Sequence, residues 1–223
     1  VRVDTHLDGD LTESDVDNLV QLDADPAVLR YVNGGRPTPR EVIETDLLPR
    51  YLWYYATFPG YGFWAAVERS TGEFLGWFHF RPPEGAPPDE PELGYRLKAT
   101  AWGRGYATEG SRALIDKGFA ERGARRVTAN AMAVNRASRR VMEKAGLRLV
   151  REYVEDWPER IAGSEFGDVE YALDRADWIA EQARTAGARA ADDLDRAVTA
   201  VHATLSAATD RDWSVPAGGL EWD

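Results

Sequence analysis

A loop of small residues precedes one of the helices that the sequence predicts. In the stretch AWGRGYATE, Gly103, Gly105 and Ala107 lie at the start of a predicted helix over Tyr106–Arg122. Successive backbone N–H groups in such a loop form a concavity for anions, and the helix contributes about half a positive charge there. Arg104 adds a guanidinium donor. The stretch therefore predicts a binding site for a phosphate or pyrophosphate.

Two familiar phosphate-binding loops do not match this stretch. A P-loop needs two glycines separated by four residues, followed by Lys and then Ser or Thr, and the sequence has no such run. The dinucleotide-binding fingerprint lies in a parallel βαβ unit near the start of its domain. The strand predicted before this loop, Glu92–Ala99, instead follows an antiparallel-looking hairpin. Neither class is therefore predicted.

The helix over Tyr106–Arg122 has a stripe of small residues. Ala107, Gly110 and Gly118 recur at helical spacing, and Gly123 is placed to end the helix. Small residues on the buried face of a helix let its backbone lie close to a sheet.

Hydrophobic periodicity predicts a mixed α/β domain over residues 1–178. Runs bounded by turn residues predict its strands at Arg2–Leu7, Tyr61–Arg69, Glu73–Phe80, Glu92–Ala99, Arg125–Ala133, Arg148–Val154 and Asp168–Asp174. Three other helices are predicted. One starts at a capping Thr12, the second starts at the signal Thr38-Pro39-Arg40-Glu41, and the third covers Asn135–Gly146.

Residues 179–223 form an Ala-rich tail of a different character. Leu194, Val198, Val201 and Leu205 alternate spacings of four and three and make one apolar stripe on a predicted helix. Such a stripe must be buried against the domain, against a second copy in a homodimer, or against a further domain. All three alternatives stay open at this point.

Composition excludes several classes of function. A net charge of -11 argues against nucleic-acid binding and suits a cationic substrate, although solubility alone is the simpler explanation of the acidity. The chain has no Cys, and His6, His79 and His202 are too far apart for a local metal site, so no metal is expected. Without a signal-peptide pattern or a long apolar run, we expect a cytoplasmic protein without a membrane span.

Two motifs together resemble a known family. AWGRGYATEG, followed after one strand by NRASRRVMEKAGL, resembles the GCN5-related N-acetyltransferases (GNAT), and within them the branch of the RimJ and RimL ribosomal-protein acetyltransferases. The family's loop signature falls on Trp102, Gly105 and Ala107, with Trp102 as this branch commonly has it. The resemblance covers about Val3–Trp178. The tail faintly resembles the start of DinB-like helical bundles, which suggests that the natural protein continues past Asp223.

The resemblance implies a GNAT fold with acetyl-CoA as the cofactor. The pyrophosphate is then expected on the loop amides, and the end of the preceding strand and the start of the next helix are expected along the pantetheine arm. The residues that these expectations assign to the cofactor are Leu97, Lys98, Ala99, Trp102, Gly103, Arg104, Gly105, Tyr106, Ala107, Thr108 and Asn135.

Acetyl transfer requires a neutral amine and a stabilised leaving thiolate. Deprotonating a Lys amine at pH 7 costs about 4.6 kcal/mol and an α-amine about 1.4 kcal/mol, so an α-amine demands less of a base. Glu92 is the first candidate base, with Glu152 as a weaker rival, and either one is alternatively a solvated glutamate. Many relatives have a Tyr at the position of Met142. Ser138 matches the Ser that the RimL-like branch places near the sulfur, with a plain cofactor contact or a serine on the helix surface as the alternatives.

The acceptor is the least determined part of the prediction. Tyr31, Trp53 and Trp157 are candidates for lining its groove, with core packing as the alternative. The first hypothesis is acetylation of a protein N-terminal α-amine by direct attack in a ternary complex. The second is the same chemistry on an aminoglycoside or polyamine, and the third is a regulatory domain that binds acyl-CoA without turnover.

Overall fold

The computed structural model describes residues 5–154 and 159–209, and the chain divides into two units, Val1–Trp178 and Ile179–Asp223. The first unit is an α/β fold around one mixed sheet, as predicted. Its strands are β1 (Thr5–Asp10), β2 (Gly62–Glu68), β3 (Phe74–Arg81), β4 (Glu92–Leu97), β5 (Arg126–Met132), β6 (Arg148–Tyr153) and β7 (Asp168–Asp174). Its helices are α1 (Val16–Asp23), α2 (Pro26–Asn33), α3 (Arg40–Val42), α4 (Leu48–Thr57), α5 (Tyr106–Glu121) and α6 (Arg136–Lys144), and α7 (Arg175–Thr209) continues into the second unit.

The sheet has the strand order β1-β2-β3-β4-β5-β7-β6, and among the described residues one pair of neighbouring strands, β4 and β5, is parallel. β3 and β4 are paired antiparallel from Gly76 opposite Leu97 to Arg81 opposite Glu92. In the described residues, β4 and β5 are parallel and paired at a single position, Glu92 opposite Thr128. Beyond Glu92, the edge of β4 that faces β5 is therefore open. We call this opening the splay.

Helices cover both faces of the sheet. On one face, α1 and α4 bury Leu19, Leu22 and Tyr51 against Phe63 and Trp77 of β2 and β3. On the other face, α5 and α6 bury a second core, whose members include Phe78, Phe80, Leu114, Phe119, Val127, Met142 and Tyr171. Because side chains alternate along a strand, each residue of β4 belongs to one of these two faces.

The small-residue stripe lets α5 lie directly on the sheet, as expected. A Cβ on Gly110 would overlap the ring of Phe78, and one on Gly118 would overlap the ring of Phe80. Both rings are fully buried, so neither can move aside. Trp178 closes the far end of α5, where its indole N–H donates to Asp116 over 2.7 Å.

The helical layer of the other face is attached to β4 by a buried ion pair. The Nη1 atom of Arg96 lies 2.7 Å from both carboxylate oxygens of Asp23, which is only 3% exposed. The Arg96 guanidinium also stacks over Trp77 at 5.1 Å, and Thr38 donates to the same carboxylate. The helix α1 is therefore held against the strand that borders the splay.

Several predicted boundaries were wrong. The first strand runs to Asp10 rather than ending at Leu7. Thr38 does not cap its helix, because its hydroxyl is bonded to Asp23, and Pro39 is the cap residue of α3. β4 ends at Leu97, since Ala99–Ala101 turns into a 3-10 helix.

The prediction also missed α2 and the parallel pair. The helix α2 has a capping Asp25, Pro26 at its first position and Gly34 at its end, so its signals are present in the sequence. The loop after β4 does lie in a parallel β4-α5-β5 unit, contrary to the antiparallel setting inferred from the hairpin. Strand pairing across a helix leaves no mark in local sequence.

The described part of the second unit is helical. Leu194, Val198 and Val201 are exposed on α7, and the side chain of Leu205 and everything past Thr209 lie outside the described residues. Among the described residues, none of the helices combines the length and the apolar character needed to cross a membrane.

The fit of α5 on the sheet is testable. We expect Gly110→Ala to lower the free energy of unfolding by about 1–3 kcal/mol, because the added methyl overpacks against Phe78. Urea unfolding followed by tryptophan fluorescence measures the change. Gly187→Ala is the matched control, since a Cβ there meets no atom within 4 Å, and it should not lower stability. Equal stability of the two variants would contradict the close approach.

Candidate active site

The loop before α5 presents backbone N–H groups at the open end of the splay. Gly103 has φ 72° and Gly105 has φ 93°, a left-handed conformation that is strained for other residues. Gly105 is the N-cap of α5 and supplies no side-chain cap, and the first bond along the helix runs from the N–H of Glu109 to the carbonyl of Gly105. The amides of Tyr106, Ala107 and Thr108 are therefore free to bind an anion.

The Arg104 side chain differs from the expectation that it adds a donor for the anion. Its Nη2 lies 2.7 Å from a carboxylate oxygen of Glu68, at the end of β2, and its guanidinium covers the Tyr106 ring. The Tyr106 hydroxyl donates to the same carboxylate, so the Tyr106 side chain points into the core. Tyr106 can therefore contact an anion only through its backbone N–H. Hydrogen bonds from Tyr106 and Thr71 lower the pKa of Glu68. Glu68 anchors the loop, and no local sequence signal marks it.

Trp102 joins the loop to the end of β4. Its indole N–H donates to the carbonyl of Leu97 over 2.9 Å, while half of the ring stays exposed. The N–H of Lys98 donates to Leu75 of β3, and the Lys98 ammonium lies 3.9 Å from Glu73. The strand end that was assigned to the pantetheine arm is thus rigidly placed, although Lys98 and Ala99 lie just outside the strand.

A pair of hydroxyl groups bridges the splay on the face of α5 and α6. Tyr95 of β4 and Ser138 in the first turn of α6 are 3.1 Å apart. Asn135 caps α6 by accepting from the Ser138 N–H, which leaves the Asn135 amide nitrogen as a donor. Met142 is buried in the core. Burial raises the pKa of Tyr95 to about 12. The prediction named Ser138 and Asn135 but missed Tyr95.

Glu92 lies at the closed end of the splay, on the opposite face of β4 from Tyr95. Its carboxylate accepts from the Asn130 amide at 3.1 Å and lies 3.5 Å from the Arg81 guanidinium. His79 stands 3.9 Å away, stacked on Trp77. Burial and the two nearby arginines, Arg81 and Arg96, lower the pKa of His79 well below its ordinary value. Glu92 is thus a half-buried carboxylate beside a neutral imidazole.

A groove of about 450 Å³ leads along the sheet towards Glu92. Its lining comes from the loop before β4 and from β5, β6 and β7, namely Pro83, Ala86, Glu90, Thr128, Asn130, Arg151, Tyr153, Val154 and Glu170. Asn130 belongs both to the groove and to the hydrogen bond with Glu92, and the Tyr153 hydroxyl donates to its side-chain oxygen. The volume suits a small organic molecule.

The predicted acceptor residues are not brought together in the described chain. Trp53 is half exposed and packs edge-on against Tyr54. Tyr31 is half-buried on α2, beneath the guanidinium of Arg30. Trp157 lies outside the described residues. Glu152 is exposed on β6 and acts electrostatically on Arg139 of α6, so the rival base lies away from Glu92.

The turn after α2 contacts the segment between β6 and β7. A Cβ on Gly34 would lie 3.2 Å from Ile161, and Arg36 forms an ion pair with Glu159. Tyr31 therefore stands one helical turn from a contact between the helical layer and this segment.

Comparison with known proteins identifies the family. Residues 10–148 match the family model described as Acetyltransferase (GNAT) domain. FsC-acetyl coenzyme A-N(2)-transacetylase of Aspergillus fumigatus is 36% identical over 171 residues, which are 73% of this chain and 71% of that protein. The chain therefore belongs to the GNAT acetyltransferase family.

Solved structures agree on the fold. A GNAT-family acetyltransferase from Bacillus anthracis has a TM-score of 0.61 at 21% identity and covers 77% of this chain and 94% of its own. Spermidine N-acetyltransferase from Vibrio cholerae, in complex with CoA and spermine, has a TM-score of 0.60 at 10% identity and covers 79% and 97%. The GNAT fold predicted from the two motifs is confirmed.

Membership of this family makes the protein an acetyl-CoA-dependent N-acetyltransferase. The residues present fit that cofactor, because uncapped amides at the start of α5 suit the pyrophosphate and the open edge of β4 suits the pantetheine amides. The individual roles given to Leu97–Ala99, Trp102–Thr108 and Asn135 stay predictions.

The role of the loop in CoA binding is tested by comparing Gly103, in the loop before α5, with Gly123, just after the end of α5. Gly103 has φ 72° and Gly123 has φ 70°, and a Cβ on either meets no atom within 4 Å. Alanine at each should cost about 1–2 kcal/mol of backbone strain. We expect Gly103→Ala to weaken CoA binding about tenfold by shifting the loop amides, and Gly123→Ala to leave it unchanged. Calorimetry with CoA measures this, and equal affinities would refute a phosphate site at the loop.

The lowered pKa of the partly buried His79 predicts that the fold loses stability in acid. Its folded-state pKa is depressed, so its contribution to stability is present above the unfolded value of about 6.5 and is lost as the pH falls below it, by up to about 1.4 kcal/mol per pH unit. Urea unfolding between pH 7 and 5 should show a shallower fall for His79→Gln than for the wild type. The exposed His202→Gln is the control and should keep the wild-type slope.

Proposed function

We propose that the protein acetylates a primary amine of a small molecule, which enters along the groove that ends at Glu92. The observation that carries the proposal is the hydrogen bond from Asn130 to Glu92, because it connects the groove lining with the carboxylate at the closed end of the splay. The groove volume of about 450 Å³ supports this class of acceptor, as do the small amines, spermidine and spermine, that are named for one structural neighbour.

Charge along the groove supports an amine with further polar groups. Glu170 is paired with Arg151 at 2.7 Å, and Glu90 is paired with Arg125. These carboxylates are already partly neutralised, whereas hydroxyl and amide groups of Tyr153, Asn130 and Thr128 line the same groove. An amine substrate that can both donate and accept hydrogen bonds therefore suits the groove better than a simple polycation.

In this proposal Glu92 takes the proton that leaves the attacking nitrogen, directly or through a water molecule. Acetyl-CoA supplies the thioester carbonyl that the amine attacks. Arg81 and Asn130 hold the carboxylate in place from two sides. An amine with a pKa near 8 reaches its neutral, attacking form at pH 7 at a cost of only about 1.4 kcal/mol. As the N–C bond forms, the nitrogen becomes positively charged and strongly acidic, and it then gives its second proton to the carboxylate.

The α-amine of a protein N-terminus is the second candidate acceptor, and it accompanies the proposed RimJ/RimL-like branch. It is favoured by the open side of the groove, where Val154 is 72% exposed and β6 is an edge strand. An extended N-terminal segment can lie along such an edge.

A neutral isostere tests the role of Glu92. Glu92→Gln keeps the size and the hydrogen bond of the side chain but cannot accept a proton, so kcat/KM should fall about 100-fold. Glu152→Gln, on the opposite face of the sheet from the groove, should stay within about twofold of wild type. Release of free thiol from acetyl-CoA in the presence of acceptor measures both rates. Wild-type kcat/KM in Glu92→Gln would rule out its role as base.

The acceptor class is tested with a panel of amines. Aminoglycosides, polyamines, short polar diamines and peptides with free N-termini are each incubated with acetyl-CoA, and thiol release and acetylated product are measured. Turnover of the small amines is the expected result. Turnover confined to peptides would establish the second candidate, and tight CoA binding without any turnover would indicate a regulatory domain.

A further inference from the structure

A line of hydrogen bonds runs across one face of the sheet from the groove to Glu92. The Tyr153 hydroxyl lies 3.2 Å from the side-chain oxygen of Asn130, and the side-chain nitrogen of Asn130 lies 3.1 Å from the Glu92 carboxylate. The register of the strands brings these residues together. Asn130 of β5 lies opposite Glu170 of β7, and β7 is paired in turn with β6, which ends at Tyr153. The groove lining is thus connected to the carboxylate through two side chains.

The chemistry of the three groups fixes the direction of each hydrogen bond. A carboxylate accepts hydrogen bonds and cannot donate them, so the Asn130 nitrogen donates to Glu92. The Asn130 oxygen therefore meets Tyr153, and because this oxygen can only accept, the Tyr153 hydroxyl donates to it. A tyrosine hydroxyl has one hydrogen, and this bond uses it. Towards a molecule in the groove, the Tyr153 oxygen can therefore accept a hydrogen bond but cannot donate one.

The surroundings of Tyr153 favour a neutral donor over a cation. The guanidinium of Arg151 lies over the Tyr153 ring at 4.7 Å, so one face of the ring already holds a cation. Glu170 accepts from Nε and Nη2 of the same guanidinium, at 2.8 and 2.7 Å, and its charge is thereby balanced. A second positive charge on the acceptor would therefore gain little here, whereas a hydroxyl or an amide N–H needs only a lone pair of the Tyr153 oxygen.

We propose that Tyr153 is a specificity-determining residue, which selects amines that also carry a neutral hydrogen-bond donor, either a hydroxyl or an amide N–H. Asn130 is the positioning residue that enforces this selection, because it takes the Tyr153 hydrogen and at the same time holds the Glu92 carboxylate. The inference rests on the proposed function, in which the amine lies at Glu92, and it narrows the class of acceptor.

Three amines of similar length test the selection. Aminobutanol carries a hydroxyl donor, methoxybutylamine has an ether oxygen in its place, and diaminobutane carries a second ammonium group. Each amine is titrated into the complex of the full chain with CoA, and NMR line shifts give its dissociation constant. The wild type should bind aminobutanol about fivefold more tightly than either of the other two amines, because it alone forms a hydrogen bond to the Tyr153 oxygen as a neutral donor.

Two variants should change this preference in opposite directions. Tyr153→Phe removes the accepting oxygen, so the binding of aminobutanol should weaken to the level of methoxybutylamine. Asn130→Ala releases the Tyr153 hydrogen, so the hydroxyl can donate to the ether, and the binding of methoxybutylamine should strengthen to the level of aminobutanol. Asn130→Ala should also lower kcat about tenfold, because Glu92 loses a hydrogen-bond partner. Release of free thiol from acetyl-CoA measures kcat.

Tyr55→Phe is the matched control. The Tyr55 hydroxyl is bonded to the backbone of Leu11 and Phe63, and Tyr55 is not among the residues that line the groove. This variant should therefore keep the wild-type preference among the three amines. Thermal unfolding of every variant shows whether it has folded.

Three outcomes would overturn the inference. They are a wild type that does not prefer aminobutanol to both other amines, an unchanged preference in Tyr153→Phe, and no gain in methoxybutylamine binding in Asn130→Ala. The binding constants need no turnover. If the wild type shows the expected preference but acetylates no amine, the proposed function fails and the selection by Tyr153 stands. If it acetylates amines without the preference, the selection fails and the proposed function stands.

Discussion

The separation of β4 from β5 beyond Glu92 is the constraint on which the rest of the site depends. Two parallel strands that paired along their whole length would satisfy each other's backbone groups and leave no room between them. Here the pairing stops after Glu92 and Thr128, so the edge of β4 is open to the amides of a pantetheine arm. The closed end places Glu92 on one face, and the open stretch places Tyr95 on the other. A single geometric feature thus gives access to both faces of the sheet.

Packing on both faces of the sheet holds β4, the strand that borders the splay, in place. On one side, α5 lies on β3 and β4 because Gly110 and Gly118 allow contact with the rings of Phe78 and Phe80. On the other side, Asp23 ties α1 to Arg96 of β4. Removing one partner of such a buried pair typically costs about 3–5 kcal/mol, so this attachment is strong. The strand β4 is therefore fixed between two cores and does not act as a flexible hinge.

The two faces divide the chemistry of acetyl transfer between them. The face of α5 and α6 carries the loop amides, which suit the phosphates of acetyl-CoA, and the hydroxyl pair of Tyr95 and Ser138. The opposite face carries Glu92 and the groove, which suit the amine. The carboxylates of Glu90 and Glu170 in the groove are paired with arginines, and Glu92 lies beside Arg81, whereas uncapped helix amides face the other way.

The sequence by itself determined what is local or periodic. The alternating strands, the glycines at the start of α5, its small-residue stripe and the two family motifs were enough to predict the GNAT fold and acetyl-CoA, because each depends on neighbours along the chain. Only the tertiary structure decided the contacts between distant segments. It turned Arg104 towards Glu68 36 residues away, set Tyr95 against Ser138, separated Glu152 from Glu92, and paired β4 with β5 across a helix. Local propensity carries no information about such partners, because they are chosen by the packing of whole layers.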